Sequence, residues 1–475
     1  MVVDFTRITD GMNRPVQVVG ETATVTSCIG LLPLMHFVRV SGIYDILQRL
    51  ISPTLPTCKC RGGRTQFNKF LQRLGGLFIG KEDLIDHDSI GRDPGFMAAM
   101  GLPATAGSSC LCRFENMIGE PTIQAMQKVL RQIFLAGFYG RKPDFLWVDI
   151  DCTPIYVYGN QENKEYSGHY GDYCLMALVV FVNHYPVWVE LDGGCTDGRK
   201  MLEKIYLEVI SFLKQHFPNT PIAFRADSGF MREDILKELE KQEVLYFIGF
   251  APNCVITKYA DNEWKPEVLK AFERDSDHEL VLRALGEYRE YLPKKWKRDD
   301  HPHARLILRD QYAPKPKITR KQRSNPEKEM ECDLRCILTN LPREDNGKCG
   351  QLWRADCRAI YEDLYCRRGS ACELKFHELK AESKAARASA NRFRTNFYRV
   401  LLASICYSIF VSIRLSRFMR FEADGKWWTV TVKRMRDTLI NIPGLIAVMS
   451  RCVRLVLPSE LPNRKAFLHF WPYKT

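Results

Sequence analysis

The feature that most constrains the fold is a change in hydrophobic period near Asp144. Before this point, apolar residues recur at three-and-four spacing, as in Ile43–Leu50 and Phe67–Leu77, which predicts an α-helical front end from Val18 to about Gly140. After it, short apolar segments alternate with amphipathic ones. Segments of the first kind are typical of strands, and those of the second kind are typical of helices.

The predicted order after Asp144 is three strands, helix, strand, helix, strand. The segments are Phe145–Cys152, Tyr173–Val182, Pro186–Leu191, Arg199–Phe217, Ile222–Ala226, Met231–Gln242 and Val244–Phe250. Strand and helix patterns resume at Glu331–Leu341, Ser370–Ala388 and Phe397–Ile413. A mixed order of this kind predicts an α/β core, in which a sheet is flanked by helices.

Composition excludes several classes of protein. The chain has 475 residues, of which 45% are hydrophobic and 26% charged, so a largely disordered chain is not expected. The longest wholly apolar stretches, such as Cys174–Val182, are shorter than the ~20 residues that span a bilayer. The 17 cysteines are odd in number and irregular in spacing, which favours reduced thiols over disulfides or a zinc site. We expect a soluble, non-secreted protein.

A basic segment carries much of the net charge of +13. Residues 294–329 contain twelve Lys or Arg and five Asp or Glu. A solvated loop explains the segment as well as a DNA contact does. The basic residues Lys294, Lys295, Lys297 and Arg298 surround Trp296, and such a group can hold phosphates while the indole stacks on a base.

Carboxylates at three places in the chain are candidates for chemistry. Asp149 and Asp151 lie two apart on a predicted strand and therefore project from one face of the sheet. Buried carboxylates are costly unless they are paired or bound to a cation. Asp227 directly follows the strand Ile222–Ala226, at a carboxyl end where ligands tend to bind. The alternative for Asp227 is an N-cap of the next helix.

Glu373 is the third candidate, on a helix predicted to begin near Ser370. A capping box from Ser370 to Glu373 is the structural alternative. Lys380 lies seven residues after Glu373 and would share its helical face. Three carboxylates form an all-oxygen site suited to Mg²⁺ or Mn²⁺, and two such ions support phosphodiester cleavage.

Several ordered motifs carry a family resemblance. They are 147–153 (Trp-Val-Asp-Ile-Asp-Cys-Thr), 168–174 (Gly-His-Tyr-Gly-Asp-Tyr-Cys), 225–230 (Arg-Ala-Asp-Ser-Gly-Phe), 361–369 (Tyr-Glu-Asp-Leu-Tyr-Cys-Arg-Arg-Gly), and the front-end segments 80–88 with 92–94 and 108–109 with 113–116. Together they resemble bacterial insertion-sequence transposases of the DDE class, in particular the insertion sequence 1380 family of the Tyr-Arg-Glu-Lys signature group. The resemblance spans most of the chain and is weakest at 251–330 and in the last fifty or so residues.

The resemblance implies a ribonuclease H-like catalytic core and cut-and-paste movement of DNA. It implies that Asp151, Asp227 and Glu373 are the catalytic carboxylates and that they bind the metal. The implied cofactor is Mg²⁺ or Mn²⁺, as two ions. Asp149 would be a neighbour that orients the site. Tyr365, Arg368 and Lys380 would contact the DNA backbone.

One departure from the signature concerns the third carboxylate. The family places three residues between the arginine and the glutamate, whereas four separate Arg368 from Glu373. A turn or bulge at Gly369 that leaves Arg368 off the helix would absorb the extra residue. The other alignment puts Cys372 in the glutamate's place, and such a copy would bind DNA without cutting it.

The predicted organisation has five parts: an α-helical DNA-binding region (1–140), the first part of the core (141–250), a basic insertion (251–330), the second part of the core with the catalytic helix (331–420) and a basic tail (421–475). In the front end, Arg61, Arg64, Lys69 and Arg73 form a basic cluster around a possible helix. We expect the helical front end that carries this cluster to recognise the DNA ends, with the basic region 294–328 supporting the flank, although a solvated face explains the cluster nearly as well. Deletion of the residues before Asp144 is expected to spare the core.

The resemblance also implies partners and a place in the cell. The partners are double-stranded DNA, as terminal inverted repeats and target, and a second copy of the chain in a synaptic complex, with no membrane. The location is the cytoplasm of a bacterium, on the nucleoid when DNA is bound. The leading hypothesis is an active transposase, an endonuclease that also joins strands. The alternatives are an inactive or recruited DNA-binding copy and a nuclease of the same fold.

Overall fold

A computed structural model describes residues 24–57, 65–138, 140–196, 198–274, 281–293, 296, 301–314, 330–344, 347, 349, 351–416, 430–448 and 453–456. Within these ranges the chain forms a front end of short helices, a large mixed sheet and a set of helices that pack against both.

The front end is helical because its apolar residues recur at helical spacing and its helices begin at polar caps. Thr65 accepts a hydrogen bond from the Asn68 amide at the start of one helix, and Asp93 caps another that begins with Pro94. The elements are β1 (Thr24–Thr26), α1 (Leu31–Val40), α2 (Ile43–Ile51), α3 (Gln66–Phe78), α4 (His87–Ile90), α5 (Pro94–Met100), α6 (Ser108–Asn116) and α7 (Glu120–Ala136).

The large sheet has nine strands in the described part of the chain. They are β2 (Leu146–Tyr156), β3 (Glu165–Ser167), β4 (Asp172–Val182), β5 (Tyr185–Gly193), β6 (Ile222–Ala226), β7 (Leu245–Phe250), β8 (Leu282–Tyr288), β9 (Arg305–Pro314) and β10 (Met330–Thr339). The order is β3-β4-β2-β6-β7-β10-β9-β8, and β5 also pairs with β4. Strands β2, β6 and β7 are parallel, and the other pairs are antiparallel. The predicted α/β class, with a mixed sheet flanked by helices, is confirmed.

The connections of the sheet include α8 (Gly198–His216), α9 (Glu233–Lys241) and α10 (Cys254–Arg274). The segment predicted as a basic insertion contains α10, β8 and β9, and the two strands extend the sheet beyond β10. A solvated loop throughout 294–329 is therefore not what the structure shows, because β9 lies inside that range. Its Arg305 pairs with Glu287 on β8 and is buried.

Two further helices complete the core. Helix α11 (Arg367–His377) lies between π-helical turns at Ala359–Tyr365 and Glu378–Glu382. Helix α12 (Phe393–Leu415) is long and apolar enough to cross a membrane, but 94% of its most apolar window is buried inside the protein, as in a core helix. It packs against α3, α6, α7 and β5.

The described part of the C-terminal region returns to the front end. It contains α13 (Val432–Met435), a π-helical turn at Arg436–Ile440, β11 (Gly444–Val448) and β12 (Val453–Val456). Strand β11 pairs with β1 and β12 in a small antiparallel sheet. Front end, sheet and C-terminal region therefore share one hydrophobic core.

Candidate active site

Two carboxylates lie side by side on neighbouring parallel strands, Asp151 in the middle of β2 and Asp227 directly after the end of β6. The register of β2 with β6 pairs Asp149 with Arg225. Two residues further along each strand come Asp151 and Asp227, so the same register places these two next to each other. Adjacent strands lie about 4.8 Å apart, which brings the two side chains within reach of one ligand.

Asp227 is both a cap and a half-buried carboxylate. Its side chain accepts a 2.8 Å hydrogen bond from the Gly229 amide and caps the short turn Ser228–Phe230. Burial raises the pKa of Asp151, the Arg368 guanidinium lowers it and the Asp227 carboxylate raises it, with a net shift upward. Two carboxylates that disfavour each other's charge are suited to sharing a cation.

Asp149, two residues before Asp151 on β2, is neutralised by cationic side chains. Asp149 is fully buried and receives Arg225 Nε at 2.6 Å and Lys375 Nζ at 3.1 Å. Burial raises the pKa of Asp149, but the charges of Lys375 and Arg225 lower it by more, so the net shift of the pKa is downward. Arg225 also donates to the Leu364 carbonyl and lies over the Trp147 ring. Asp149 thus joins β2, β6 and α11 and is occupied by two cations.

Arg368 lies on α11 and faces the carboxylate pair. Its Nη1 donates to Asp151 Oδ2 at 3.2 Å. The expectation that a turn at Gly369 leaves Arg368 off the helix is wrong, because α11 begins at Arg367 and continues to His377. The extra residue is therefore not absorbed between Arg368 and Glu373. The helix also does not begin at Ser370, so the capping-box alternative fails as well.

Tyr365 packs beside Asp227. A Cβ added at Gly249 on β7 would lie 2.8 Å from the Tyr365 hydroxyl and 2.7 Å from the Ser228 amide nitrogen. Burial raises the pKa of Tyr365, Arg368 lowers it and Asp227 raises it, with a net shift upward. Gly249 therefore leaves the space that Tyr365 occupies at the edge of the site.

Helix α11 presents Cys372, and not Glu373, to the sheet. Cys372 is 1% exposed, and it follows Arg368 by four residues and precedes Lys375 by three, so all three share one face. Burial, chiefly, raises the pKa of the Cys372 thiol to about 12. Glu373 is exposed, since one residue turns the helix by about 100°.

Buried ion pairs fix this rotation of α11. Lys375 holds Asp149 on the sheet side, and Glu378, at the helix end, receives Arg414 at 2.9 Å and the Tyr407 hydroxyl. Removing one partner of a buried ion pair costs about 3–5 kcal/mol. A turn that moved Glu373 inward would displace both Lys375 and Glu378, so the described rotation is strongly favoured.

Lys380 lies beside the same strand as the aspartates. Its Nζ donates to Thr153 Oγ1 at 2.9 Å, and Thr153 follows Asp151 on the same face of β2. Burial lowers the pKa of Lys380. Arg368 and Lys380 thus place two cationic groups along the strand that carries Asp151.

The indole of Trp296 is not displayed for base stacking. It is 9% exposed and stacks on His301 with ring centroids 4.1 Å apart. His301 in turn contacts Glu240 at 3.0 Å, so the pair belongs to the packing of the core. The neighbouring candidates for DNA binding, Lys294, Lys295, Lys297 and Arg298, lie outside the described residues.

The front-end basic cluster also differs from the expectation of an exposed face. Lys69 and Arg73 are buried, and Arg73 pairs with Glu115 at 2.6 Å. Arg61 and Arg64 lie outside the described residues. Lys69 and Arg73 therefore stabilise the helices and are not available to a DNA backbone.

The sequence reasoning missed two residues of the site, Arg225 and Lys375. A signal for Arg225 was present, because it precedes Asp227 by the two residues that also separate Asp149 from Asp151. If the two strands are parallel and Asp151 lies beside Asp227, the shared spacing places Arg225 opposite Asp149. Lys375 had no comparable signal, because its partner depends on how α11 lies on the sheet.

The donor set decides whether a divalent cation fits. Among the described residues no group of three or more His, Cys, Asp or Glu side chains is arranged to hold a metal ion. Asp151 and Asp227 alone fit one hard cation, since Mg²⁺ is often held by one or two carboxylates together with water and substrate phosphates. The structure does not bring Glu373 to this pair, and its metal-binding role stays a prediction.

The chain matches a known protein family over most of its length. The sequence matches the family described as Transposase DDE domain group 1 over residues 9–472. Among solved structures, the chain is similar to a piggyBac transposase in a synaptic complex with hairpin DNA, with a TM-score of 0.37 and 14% identity over 84% of this chain and 78% of that one. No curated protein matches the sequence.

Proposed function

The chain belongs to the transposase DDE domain group 1 family, and from that premise we propose that it is a DNA transposase that cleaves and transfers strands in a metal-dependent reaction. The observation that carries the proposal is the Asp151–Asp227 pair, with Asp151 on β2 and Asp227 directly after the neighbouring parallel strand β6. Carboxylate oxygens in this position suit Mg²⁺ or Mn²⁺, which also bind phosphate oxygens. The mixed sheet would then be a ribonuclease H-like core.

The residues around the pair would hold the DNA. Arg368 and Lys380 would take phosphates on either side of the scissile bond, and Tyr365 would limit where the strand lies beside Asp227. Fixing the phosphate in line with an attacking oxygen is the main contribution of such groups. A bound cation would supply Lewis-acid stabilisation of charge on the phosphate oxygens.

The proposal extends to the biological setting. The chain would act on the inverted repeats of an insertion sequence related to the insertion sequence 1380 family, in the bacterial cytoplasm. Pairing of two DNA ends would require a homodimer in the synaptic complex. The Asp151–Asp227 pair serves one strand at a time, so two copies are needed to act on two ends.

Cleavage of the flanking DNA tests the function. Purified full-length protein is incubated with Mg²⁺ or Mn²⁺ and with duplexes taken from the DNA on either side of its gene, and the products are separated on a denaturing gel. Nicks at defined positions that require the metal are expected for the wild type and are expected to vanish in Asp227→Ala. Asp363→Asn is the matched control, because Asp363 is exposed and pairs only with the exposed Arg367 among described residues. Cleavage by Asp227→Ala at the wild-type rate contradicts the proposal.

A second candidate function is DNA binding without cleavage. The observation that favours it is the inward position of Cys372 and the exposed position of Glu373. Metal-dependent nicking in the same gel excludes it. A nuclease of the same fold is the remaining alternative, and joined strand-transfer products exclude that one.

A further inference from the structure

We propose that Glu382 and Arg436 are positioning residues that hold Lys380 in place on the sheet. Lys380 lies inside the π-helical turn Glu378–Glu382, and both residues tie this turn to the C-terminal region. Lys380 is the residue that would take a DNA phosphate, so the inference rests on the proposed function. It adds what keeps this lysine ready for the phosphate.

Lys380 is not held by an ion pair. It is half-buried, its Nζ donates to the Thr153 hydroxyl at 2.9 Å, and within the part of the chain that the structure describes no carboxylate pairs with it. A lysine side chain is flexible and its ammonium is strongly hydrated, so such an ammonium gains by turning towards water. The observed position therefore depends on the backbone of the turn that carries Lys380.

Two glutamates tie the turn to consecutive residues of the C-terminal region. Glu378 Oε1 accepts a hydrogen bond from the Val432 amide at 3.1 Å, and Glu382 Oε2 accepts one from the Lys433 amide at 2.6 Å. Hydrogen bonds to an ionised acceptor are among the stronger ones in proteins. Residues 431–436, here called the strap, are thus bound to the turn before and after its lysine.

Arg436 joins the strap and the turn to the front end. Its Nη2 donates to the Glu382 carbonyl at 2.7 Å and to the Leu77 carbonyl at 3.2 Å, and its Nε donates to the Phe78 carbonyl at 3.0 Å. Arg436 is 5% exposed. A guanidinium carries five donors in a fixed fork, so one side chain can hold all three carbonyls in one geometry. The turn and the end of α3 are therefore fixed relative to each other.

Glu382 is the more selective of the two glutamates for a test. Glu378 also receives Arg414 and contributes to the rotation of α11, so its removal would disturb the whole helix. The described contacts of the Glu382 side chain are the Lys433 amide and, at 3.7 Å, the exposed His377. Removing the Glu382 carboxylate therefore loosens the strap and leaves the ion pairs of α11 intact.

Acetylation of the full-length protein by an N-hydroxysuccinimide ester, followed by mass spectrometry, tests the inference without DNA. In Glu382→Ala the acetylation rate of Lys380 should rise by about tenfold or more, because a hydrogen bond to a charged group is lost. Lys375 lies on the same helix and should stay protected, because its contact with Asp149 does not involve the strap.

Three further variants complete the acetylation test. Arg436→Met removes the donors to three carbonyls and should also raise the rate at Lys380. Glu382→Gln keeps an uncharged acceptor, so it should give an intermediate rise, and it carries the test if Glu382→Ala does not fold. Asp437→Ala is the matched control, because Asp437 is exposed and no described hydrogen bond of its side chain reaches the turn. Thermal unfolding shows which variants keep the fold.

The salt dependence of DNA binding tests what the strap does for function, with the flanking-DNA duplex as the probe. Lys380→Met should reduce the slope of log affinity against log salt by about 0.9, the value for one phosphate contact. Glu382→Ala should reduce it equally and add nothing in the Lys380→Met background, because both changes remove one contact. Independent, additive losses would overturn the inference.

The outcomes distinguish the inference from the proposed function. If Lys375 is acetylated together with Lys380 in Glu382→Ala, the strap stabilises the whole helix and the inference is wrong. It is also wrong if the rate at Lys380 does not change, whether or not the wild type nicks DNA. If the rate changes as expected and the wild type neither binds nor nicks the flanking DNA, the strap positions Lys380 and the proposed function fails.

Discussion

Two rows of side chains on the same two strands have opposite characters. The lower row, Asp149 with Arg225, is buried, oppositely charged and completed by Lys375. The upper row, Asp151 with Asp227, lies two residues further on, is partly exposed and places like charges together. In the lower row one carboxylate is paired with two cations, whereas the two carboxylates of the upper row share one cation, Arg368, and leave negative charge for a ligand. We infer that the lower row holds the strands and α11 in place so that the upper row can remain unsatisfied.

The largest expected effect comes from breaking the lower row. Asp149→Asn leaves Arg225 and Lys375 buried without their shared anion, and should lower the free energy of unfolding by about 3–5 kcal/mol. Urea denaturation measures it. The comparison variant is Asp151→Asn, which should leave stability unchanged or slightly higher, because it removes one of two like charges. Equal losses in both variants would contradict the division between the rows.

A smaller effect is expected from crowding the upper row. In Gly249→Ala the new Cβ would meet the Tyr365 hydroxyl at 2.8 Å and the Ser228 amide nitrogen at 2.7 Å. Such overpacking costs about 1–3 kcal/mol and should also reduce DNA cleavage, because Tyr365 and Asp227 move apart. Gly168→Ala is the control, since nothing lies within 4 Å of its added Cβ. Thermal unfolding and the nicking assay are the measurements.

Arg368→Gln should change stability little. The Arg368–Asp151 pair is partly exposed, with 12% and 27% of the side chains accessible, and such pairs contribute about 0–1 kcal/mol. DNA affinity should fall much more than stability does. A loss of stability as large as that of Asp149→Asn would mean that the upper row is structural after all.

The pH dependence of stability should have opposite signs in the two rows. Asp149 has a lowered pKa in the fold, so its contribution is present above the unfolded value of 3.8 and is lost as the pH falls through the folded value. Asp151 has a raised pKa, so its protonated form favours folding below 3.8, and this is lost as the pH rises through the folded value. Urea denaturation of the wild type and of the two Asn variants tests the signs, in steps of about one pH unit between about pH 3 and 7.

Much of the fold follows from local pattern. Strand β6 occupies Ile222–Ala226 as predicted, and β2, β4, β5 and β7 agree within a few residues because each is rich in apolar residues that favour strands. Strands β8 and β9 were missed because charged residues interrupt their apolar pattern. Arg305 on β9, for example, is neutralised by Glu287 on β8.

The site was predictable only in part, for a similar reason. Asp151 and Asp227 follow from strand alternation and strand ends, which are local properties. Whether Cys372 or Glu373 faces them depends on the rotation of α11, and that is fixed by Lys375 and Glu378 through partners on other elements. The packing of Trp296 on His301 likewise depends on tertiary structure, and the basic residues next to Trp296 in the sequence do not indicate it.

Ion pairs at both ends of helix α12 connect the front end to the candidate catalytic helix. Arg399 near its beginning pairs with Glu115 of the front end at 2.7 Å, and Arg414 at its end pairs with Glu378 beside the candidate catalytic helix. Removing the residues before Asp144 would remove the front-end helices that pack against α12 and would leave Arg399 without Glu115. We therefore expect the described parts of the front end and of the candidate catalytic helix to unfold as one cooperative unit.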